Sequence, residues 1–237
     1  MQLYIIRHAD PDYARNTITD QGHREAVALS RVMESLQPTH LYTSPLGRAR
    51  DTAGYTARAT GLPLGVEEWT REIEGFSVEQ GEPFGQTALW DYHPEKVRHL
   101  ANRIVTEDGW LAVHPYDQGF SQVLDSLASQ SDIFLAKHGV VRENNLYRIQ
   151  EETDRNQRLA VFCHAGFGLT WLSHLLGIPF PLVYSSFFLW PSSVTTVLFE
   201  ERIRGIATPR CTGLADITHL KQSGLTPQPR GLWANIE

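Results

Sequence analysis

The chain has 237 residues, 41% hydrophobic and 20% charged, which suits one large domain, or one domain with an insertion, around a well-packed core. Its two cysteines, Cys163 and Cys211, are too few for a disulfide framework, and no CxxC pair offers a zinc site. Net charge is −6 at pH 7 with no basic stripe, which argues against nucleic acid; the local cluster at Arg48 and Arg50 suits a small anion better.

No stretch approaches the roughly 18 apolar residues of a membrane span. Residues 1–7 lack the basic start and the sustained apolar run of a signal peptide. The expected setting is soluble, reducing and cytoplasmic.

Residues 3–7 read as a short buried strand ending in a polar turn, broken by Asp10-Pro11-Asp12. Thr19 is placed to cap a helix whose apolar face is Ala26, Leu29, Val32, Met33 and Leu36, and Pro38 ends it. Residues 40–43 read as a second strand, and Ser44-Pro45 opens a helix running to about Thr60. Gly61-Leu62-Pro63 closes a βαβα unit, the pattern of a parallel sheet with helices on its faces.

From about Gly75 to Gln157 that rhythm lapses. The stretch holds Trp90, Trp110 and four of the ten histidines, and reads as an insertion. Within it, 120–129 reads as helix and 134–150 as a hairpin turning at Asn144-Asn145. The α/β pattern returns with a strong strand at 159–163, a tight turn at 164–168 and a helix at 169–176, stopped by Gly177 and Pro179. Residues 193–200 read as another strand, and the tail from Thr208 reads as irregular. The expected fold is α/β: a three-layer α/β/α sandwich on a mainly parallel sheet, one domain over 1–237 with 75–157 inserted as a cap.

In open α/β sheets, sites form where strands end and helices begin. Two strong strands end in histidine, at His8 and His164. The strand at 40–43 delivers Ser44-Pro45-Leu46-Gly47-Arg48-Ala49 to the same edge if the sheet is parallel. Two histidines and two arginines would then converge.

Four separated pieces carry a family resemblance. They are Arg7-His8-Ala9, Ile18-Thr19-Asp20-Gln21-Gly22, the run Ser44-Pro45-Leu46-Gly47-Arg48-Ala49-Arg50-Asp51-Thr52-Ala53, and Phe162-Cys163-His164-Ala165-Gly166. Together, in this order, they resemble the histidine phosphatase superfamily, the phosphoglycerate-mutase-like proteins, over 1–75 and about 158–200. The resemblance implies that His8 is the nucleophile, that Arg7 and Arg48 clamp the phosphate and that His164 is the pocket's second histidine. It also implies an acid shortly after the second helix, where Glu72 fits best and Glu74 is the fallback. The implied activity is a phosphatase acting on a small phosphorylated substrate through phosphohistidine. It would have no cofactor, no metal, and no nucleic-acid or membrane partner; oligomeric state stays open. A phosphoglycerate-mutase-type transferase and a catalytically idle phospho-ligand binding module are the alternatives.

The residue chemistry agrees. A transferring phosphoryl group carries negative charge on its equatorial oxygens, so catalysis is mostly positioning and neutralisation. Guanidinium forks match those oxygens. His8 must attack as neutral imidazole, which neighbouring arginines favour, and its other nitrogen needs an acceptor to set the tautomer. Plainer readings hold elsewhere. Arg50 is a solvated helix charge, Cys163 is core, and His138 lies on the surface. His93, His99 and His114 are structural, and Trp69, Trp90 and Trp110 pack the core or cap. Ala9 and Ala165 stand where the family has glycine, and Asn16 is displaced from the mutase pattern, which weakens the mutase alternative.

Overall fold

The computed structural model describes residues 1–99, 115–116 and 119–232; Trp110 and His114 lie outside them. The strands are β1 (Gln2–Arg7), β2 (Pro11–Asp12), β3 (Thr17–Ile18), β4 (His40–Thr43), β5 (Leu64–Val66), β6 (Ser77–Glu79), β7 (Gln86–Ala88), β8 (Val140–Glu143), β9 (Leu146–Ile149), β10 (Arg158–Cys163), β11 (Val194–Ile203) and β12 (Ile206–Asp216). The helices are α1 (Asp20–Leu36), α2 (Gly47–Thr60), α3 (Pro94–His99), α4 (Phe120–Lys137), α5 (Ala165–Leu176), α6 (Phe180–Tyr184) and α7 (Thr218–Gln222).

An eight-stranded sheet runs in the order β5-β4-β10-β1-β11-β12-β9-β8. Its side chains alternate between two cores. Leu3, Ile5, Val161 and Cys163 pack with Leu127, Phe134, Phe167 and Trp171 of α4 and α5. Tyr4, Ile6, Ala160 and Phe162 pack with Leu29, Met33 and Ala53 of α1 and α2. Strands buried on both faces need the near-continuous apolar runs seen in β1 and β10. The three-layer α/β/α sandwich is therefore present.

The sheet itself is mixed. β5, β4, β10 and β1 form a parallel half, and β11, β12, β9 and β8 continue it antiparallel. After α6 the chain arrives at the C-terminal end of β1: the Leu189 carbonyl accepts from Arg7, and the Ser192 amide donates to the His8 carbonyl. A strand entering from that end must run opposite to β1, which accounts for the departure from a mainly parallel sheet.

Local signals fixed the early elements. The Thr19 hydroxyl accepts from the Gly22 amide and caps α1, an interaction worth about 1 kcal/mol. Gln37 in the left-handed region ends that helix before Pro38. The expected helix from Ser44 begins at Gly47, and the one from Leu169 begins at Ala165.

The stretch expected as a 75–157 insertion divides in two. Residues 120–157 belong to the main sandwich: α4 packs its 127, 131, 134 and 135 face inward, and the hairpin β8–β9 joins the sheet beside β12. That helix runs through Lys137, so the hairpin starts at Val140 and not at Phe134, although its turn is at Asn144-Asn145 as read. His138 is buried and bonds both the Tyr42 hydroxyl and Gln157, which corrects the surface reading. The tail after Thr208 is irregular only from Ser223 onward among the described residues, after a strand and a short helix. It forms β12, paired along β11, despite Pro209 and Gly213. Only the earlier part stands apart from the sheet. There β6 and β7 pair with each other, and Val78, Leu89 and Val97 pack with Leu169 and Phe180 in a separate cluster.

Candidate active site

β1 and β10 lie side by side in register, Arg7 opposite Cys163, so both deliver their following histidines to one edge of the sheet. The rings of His8 and His164 lie 5.1 Å apart between centroids. β4, on the other side of β10, ends at Thr43 and leads into α2, which carries Arg48 in its first turn.

His8 is only 2% exposed. Its Nδ1 lies 2.8 Å from the Ala9 carbonyl, which can only accept. Nδ1 therefore carries the proton, and Nε2 keeps its lone pair. Burial, Arg7 and Arg48 together hold the ring's pKa well below the usual histidine range, so it is neutral. Arg48 donates from Nε to His8 Nε2 at 3.3 Å and from Nη1 to the Asn16 carboxamide oxygen at 3.2 Å. Arg7, buried, donates Nη1 to the Leu189 carbonyl at 2.5 Å, while its Nε has no partner.

His164 is fully buried and also held neutral by burial and by His8 and the arginines. Its Nε2 lies 2.8 Å from the Ser44 hydroxyl, and its Nδ1 has no partner. A ring accepting the Ser44 proton at Nε2 carries its one N–H on Nδ1, a donor free for a ligand.

Glu72 lies in the loop after the short turn at 68–70. Its Oε1 accepts from the amides of Phe167 at 2.8 Å and Ile73 at 3.0 Å, and its Oε2 accepts from Gly166 at 3.3 Å. His164, the first residue before α5, makes no side-chain cap, so Glu72 supplies the acceptors that the helix start needs. The residue keeps some surface, but its carboxylate is enclosed. Burial raises its pKa against the opposing pull of the three amides. Glu74 is exposed and does not line the cavity that Glu72 faces.

That cavity, about 860 Å³, is lined by Arg7, Arg48 and Glu72 and by cap residues including Phe84, Trp90, Tyr92 and His93. Trp90 lies so close over α5 that a Cβ added to Gly166 would sit 2.4 Å from its Cε3. Trp90 and Tyr92 thus line the cavity and also pack against the separate cluster. His93 pairs with Glu95 at 2.8 Å, His99 is exposed, and Trp69 packs edge-on against Phe167 and Trp171. Cys163 is buried in the core with its thiol pKa pushed up by burial. Ala9 is buried and is not among the residues with positive φ, so its methyl group is accommodated without strain. Among the described residues, no group of three or more His, Cys, Asp or Glu could hold a metal ion.

Sequence reasoning missed four residues here. Ser44 was within a quoted motif but had no role. Asn16 seemed displaced, yet a turn with Asn16 at φ 51° brings it to Arg48. Arg230 reaches the cavity while pairing with buried Asp10 at 2.7 Å, across 220 residues of chain that no local signal spans. Asp91 lines the cavity from the cap.

Residues 3–115 match the sequence model of the histidine phosphatase superfamily (branch 1). A "Probable phosphoglycerate mutase GpmB" of Cronobacter sakazakii is 24% identical over 119 residues, 46% of this chain and 47% of that protein. The match thus spans less than half the length of that curated relative. Among solved structures, a phosphoserine phosphatase from Entamoeba histolytica in complex with 3-phosphoglyceric acid superposes with TM-score 0.60 at 19% identity, covering 92% of this chain and 98% of that one. A mycobacterial glucosyl-3-phosphoglycerate phosphatase complexed with VO3 superposes with TM-score 0.56 at 18% identity, covering 90% and 98%. Those two likenesses concern the fold. The matched residues 3–115, a little under half of the chain, and the four motifs make this chain similar to the histidine phosphatase superfamily.

Proposed function

We propose that this chain is a phosphatase that hydrolyses a small phosphomonoester through a phosphohistidine intermediate on His8. The observation that carries the proposal is the state of His8: neutral, its proton on the nitrogen facing Ala9, its lone pair facing Arg48. That is a nucleophile beside a cation suited to a phosphoryl oxygen.

In the first step the Nε2 lone pair forms a bond to phosphorus as the ester P–O bond breaks, and Glu72 gives its proton to the leaving oxygen. In the second, Glu72 takes a proton from water, the water oxygen attacks phosphorus, and the P–N bond breaks to release phosphate. Arg7 and Arg48 neutralise the equatorial oxygens in both steps, and His164 donates a hydrogen bond from Nδ1. Residues 76–99 act as the cap that sets substrate choice, since the cavity pairs apolar walls with a few polar groups.

A phosphate-release screen over sugar phosphates, nucleotides, phosphoamino acids and an aryl phosphate tests this. The supporting result is release from at least one ester, with acid-labile phosphate on His8 during turnover. A second reading, favoured by the name of the curated relatives, is a mutase that returns the phosphoryl group to its substrate. Dependence on a bisphosphate primer without release of free phosphate would favour it. Binding with neither release nor transfer would leave an idle phospho-ligand module.

A further inference from the structure

The charged groups along the cavity are nearly all committed. Arg7 and Arg48 belong to the His8 end, and Glu72 is held by three amides. His93 pairs with Glu95, and Arg230 pairs with Asp10. The exception is Asp91, at the end of the short helical turn at 89–91 in the cap. Its backbone carbonyl accepts from Gln80, which fixes the turn, but its carboxylate makes no hydrogen bond or ion pair among the described residues. The backbone at Gly231 closes on it from one side, where an added Cβ would lie 3.0 Å from Oδ1.

Most neutral polar side chains of the wall are also used within the protein. Gln80 bonds the Thr87 hydroxyl, the Asp91 carbonyl and the His93 amide. Ser185 donates to the Leu182 carbonyl, Ser186 accepts from Arg98, and Tyr184 bonds Thr170. A sugar with many hydroxyls would find few open partners here. A single cation would find one, the half-buried carboxylate of Asp91, on a wall that also includes Trp90 and Tyr92.

We propose that Asp91 receives an ammonium group of the substrate, so that the ester taken by this cavity carries a phosphate at one end and a protonated amine at the other; the inference rests on the phosphomonoester reading above. Arg7 is a counter-charge that favours an ionised Asp91, and Glu72 opposes it. A phosphate bound at Arg7 cancels that support and leaves Asp91 as a half-enclosed anion facing another. An ammonium restores the balance, whereas a carboxylate-bearing ester makes it worse. Burial lifts Asp91 to about 6, so it is ionised at neutral pH. The charge pattern of the cavity therefore selects a zwitterionic ester against an acidic one.

The test compares 2-aminoethyl phosphate, n-propyl phosphate and phosphoglycolate, whose far ends are cationic, neutral and anionic. Phosphate release gives kcat/KM and titration calorimetry gives Kd, for the wild-type chain and for Asp91→Asn. Wild type is expected to favour the cationic ester over the neutral one by at least about tenfold, the low end for an enclosed charge pair. It should take the anionic ester least well. Asp91→Asn should bring the cationic-to-neutral ratio to about one. Equal values for those two esters in wild type, or a ratio unchanged in Asp91→Asn, would overturn the proposal. A binding preference without phosphate release would sustain the Asp91 assignment and bring down the phosphatase reading. Release without preference would do the reverse.

Discussion

Arg48 Nε sits 3.3 Å from His8 Nε2, so the proposed nucleophilic lone pair is already occupied by the guanidinium proposed to hold the phosphate. An entering phosphoryl group must take that donor onto its own oxygen and free the lone pair in the same movement. Arg48→Ala should lower kcat/KM on an aryl phosphate by about 10²–10³-fold, the usual loss for one preorganised donor. Arg48→Lys should recover little of it, because an ammonium cannot serve both Asn16 and the phosphoryl oxygens with a planar fork. Steady-state kinetics of both variants decide this; near-wild-type Arg48→Lys would refute the fork.

His8→Asn should have no turnover and trap no acid-labile phosphate. The asparagine amide can still donate to the Ala9 carbonyl, so the melting temperature should stay close to wild type. Residual phosphate release at a substantial fraction of the wild-type rate would show that another group attacks phosphorus.

Glu72→Gln removes a proton donor but keeps an acceptor for the start of α5. Alkyl esters, whose leaving oxygens need a proton, should lose about 10²–10⁴-fold, the range for general acid catalysis. An aryl phosphate with a good leaving group should lose much less in the first step. With Glu72 in its proposed role as the first-step acid and its pKa raised, kcat/KM for alkyl esters should fall as pH rises through that pKa, and this limb should vanish in the variant. Equal losses on both ester classes would count against Glu72 as the donor.

Much of the chemistry-bearing end was readable in sequence because each motif sits at a strand-to-helix junction, where order along the chain and position on the edge are the same thing. His8, His164 and Arg48 needed only the parallel register of β1, β10 and β4. The antiparallel half was not readable. β12 carries Pro209 and Gly213, which weaken a strand's local signal, and it is held by long pairing with β11. Helix α4 and hairpin β8–β9 looked foreign because their apolar faces are answered by α5 and β12, distant in sequence. His138 looked like a surface turn because its partners, Tyr42 and Gln157, lie 96 and 19 residues away.

Glu25 gives a stability test. It is fully buried and accepts from the Asp10 amide, and burial raises its pKa to about 7 against the pull of that amide, with the Asp10 carboxylate adding to the rise. The folded protein therefore holds a proton that the unfolded chain has lost above its ordinary value of 4.5. Its stabilising contribution is full below that value and disappears as pH rises through about 7. Glu25→Gln keeps the acceptor without the charge. Relative to wild type it should gain on the order of 2–3 kcal/mol in denaturant unfolding between pH 5 and 8. Parallel pH profiles for the two proteins would refute the assignment.

Gly166→Ala should act through the cap. The added methyl group would meet Trp90 Cε3 at 2.4 Å, and Trp90 must move because the other side is helix backbone. Substrate preference should change while inorganic phosphate inhibits as before, since Arg7 and Arg48 are untouched. Unchanged relative rates over several esters would argue against Trp90 as a wall of the substrate site.

β1 is bonded on both edges, to β10 and β11, and covered on both faces, so His8 hangs from a strand secured on every side. Among the described residues, the cap pairs only β6 with β7 and rests on a smaller cluster. Amide exchange should therefore be slowest at Tyr4 and Ile6, released only by global opening, and far faster between residues 77 and 88. Mutational drift can accumulate in the cap segment without disturbing the strand that carries His8, so the proposed chemistry and the proposed substrate choice rest on separately secured parts of the molecule.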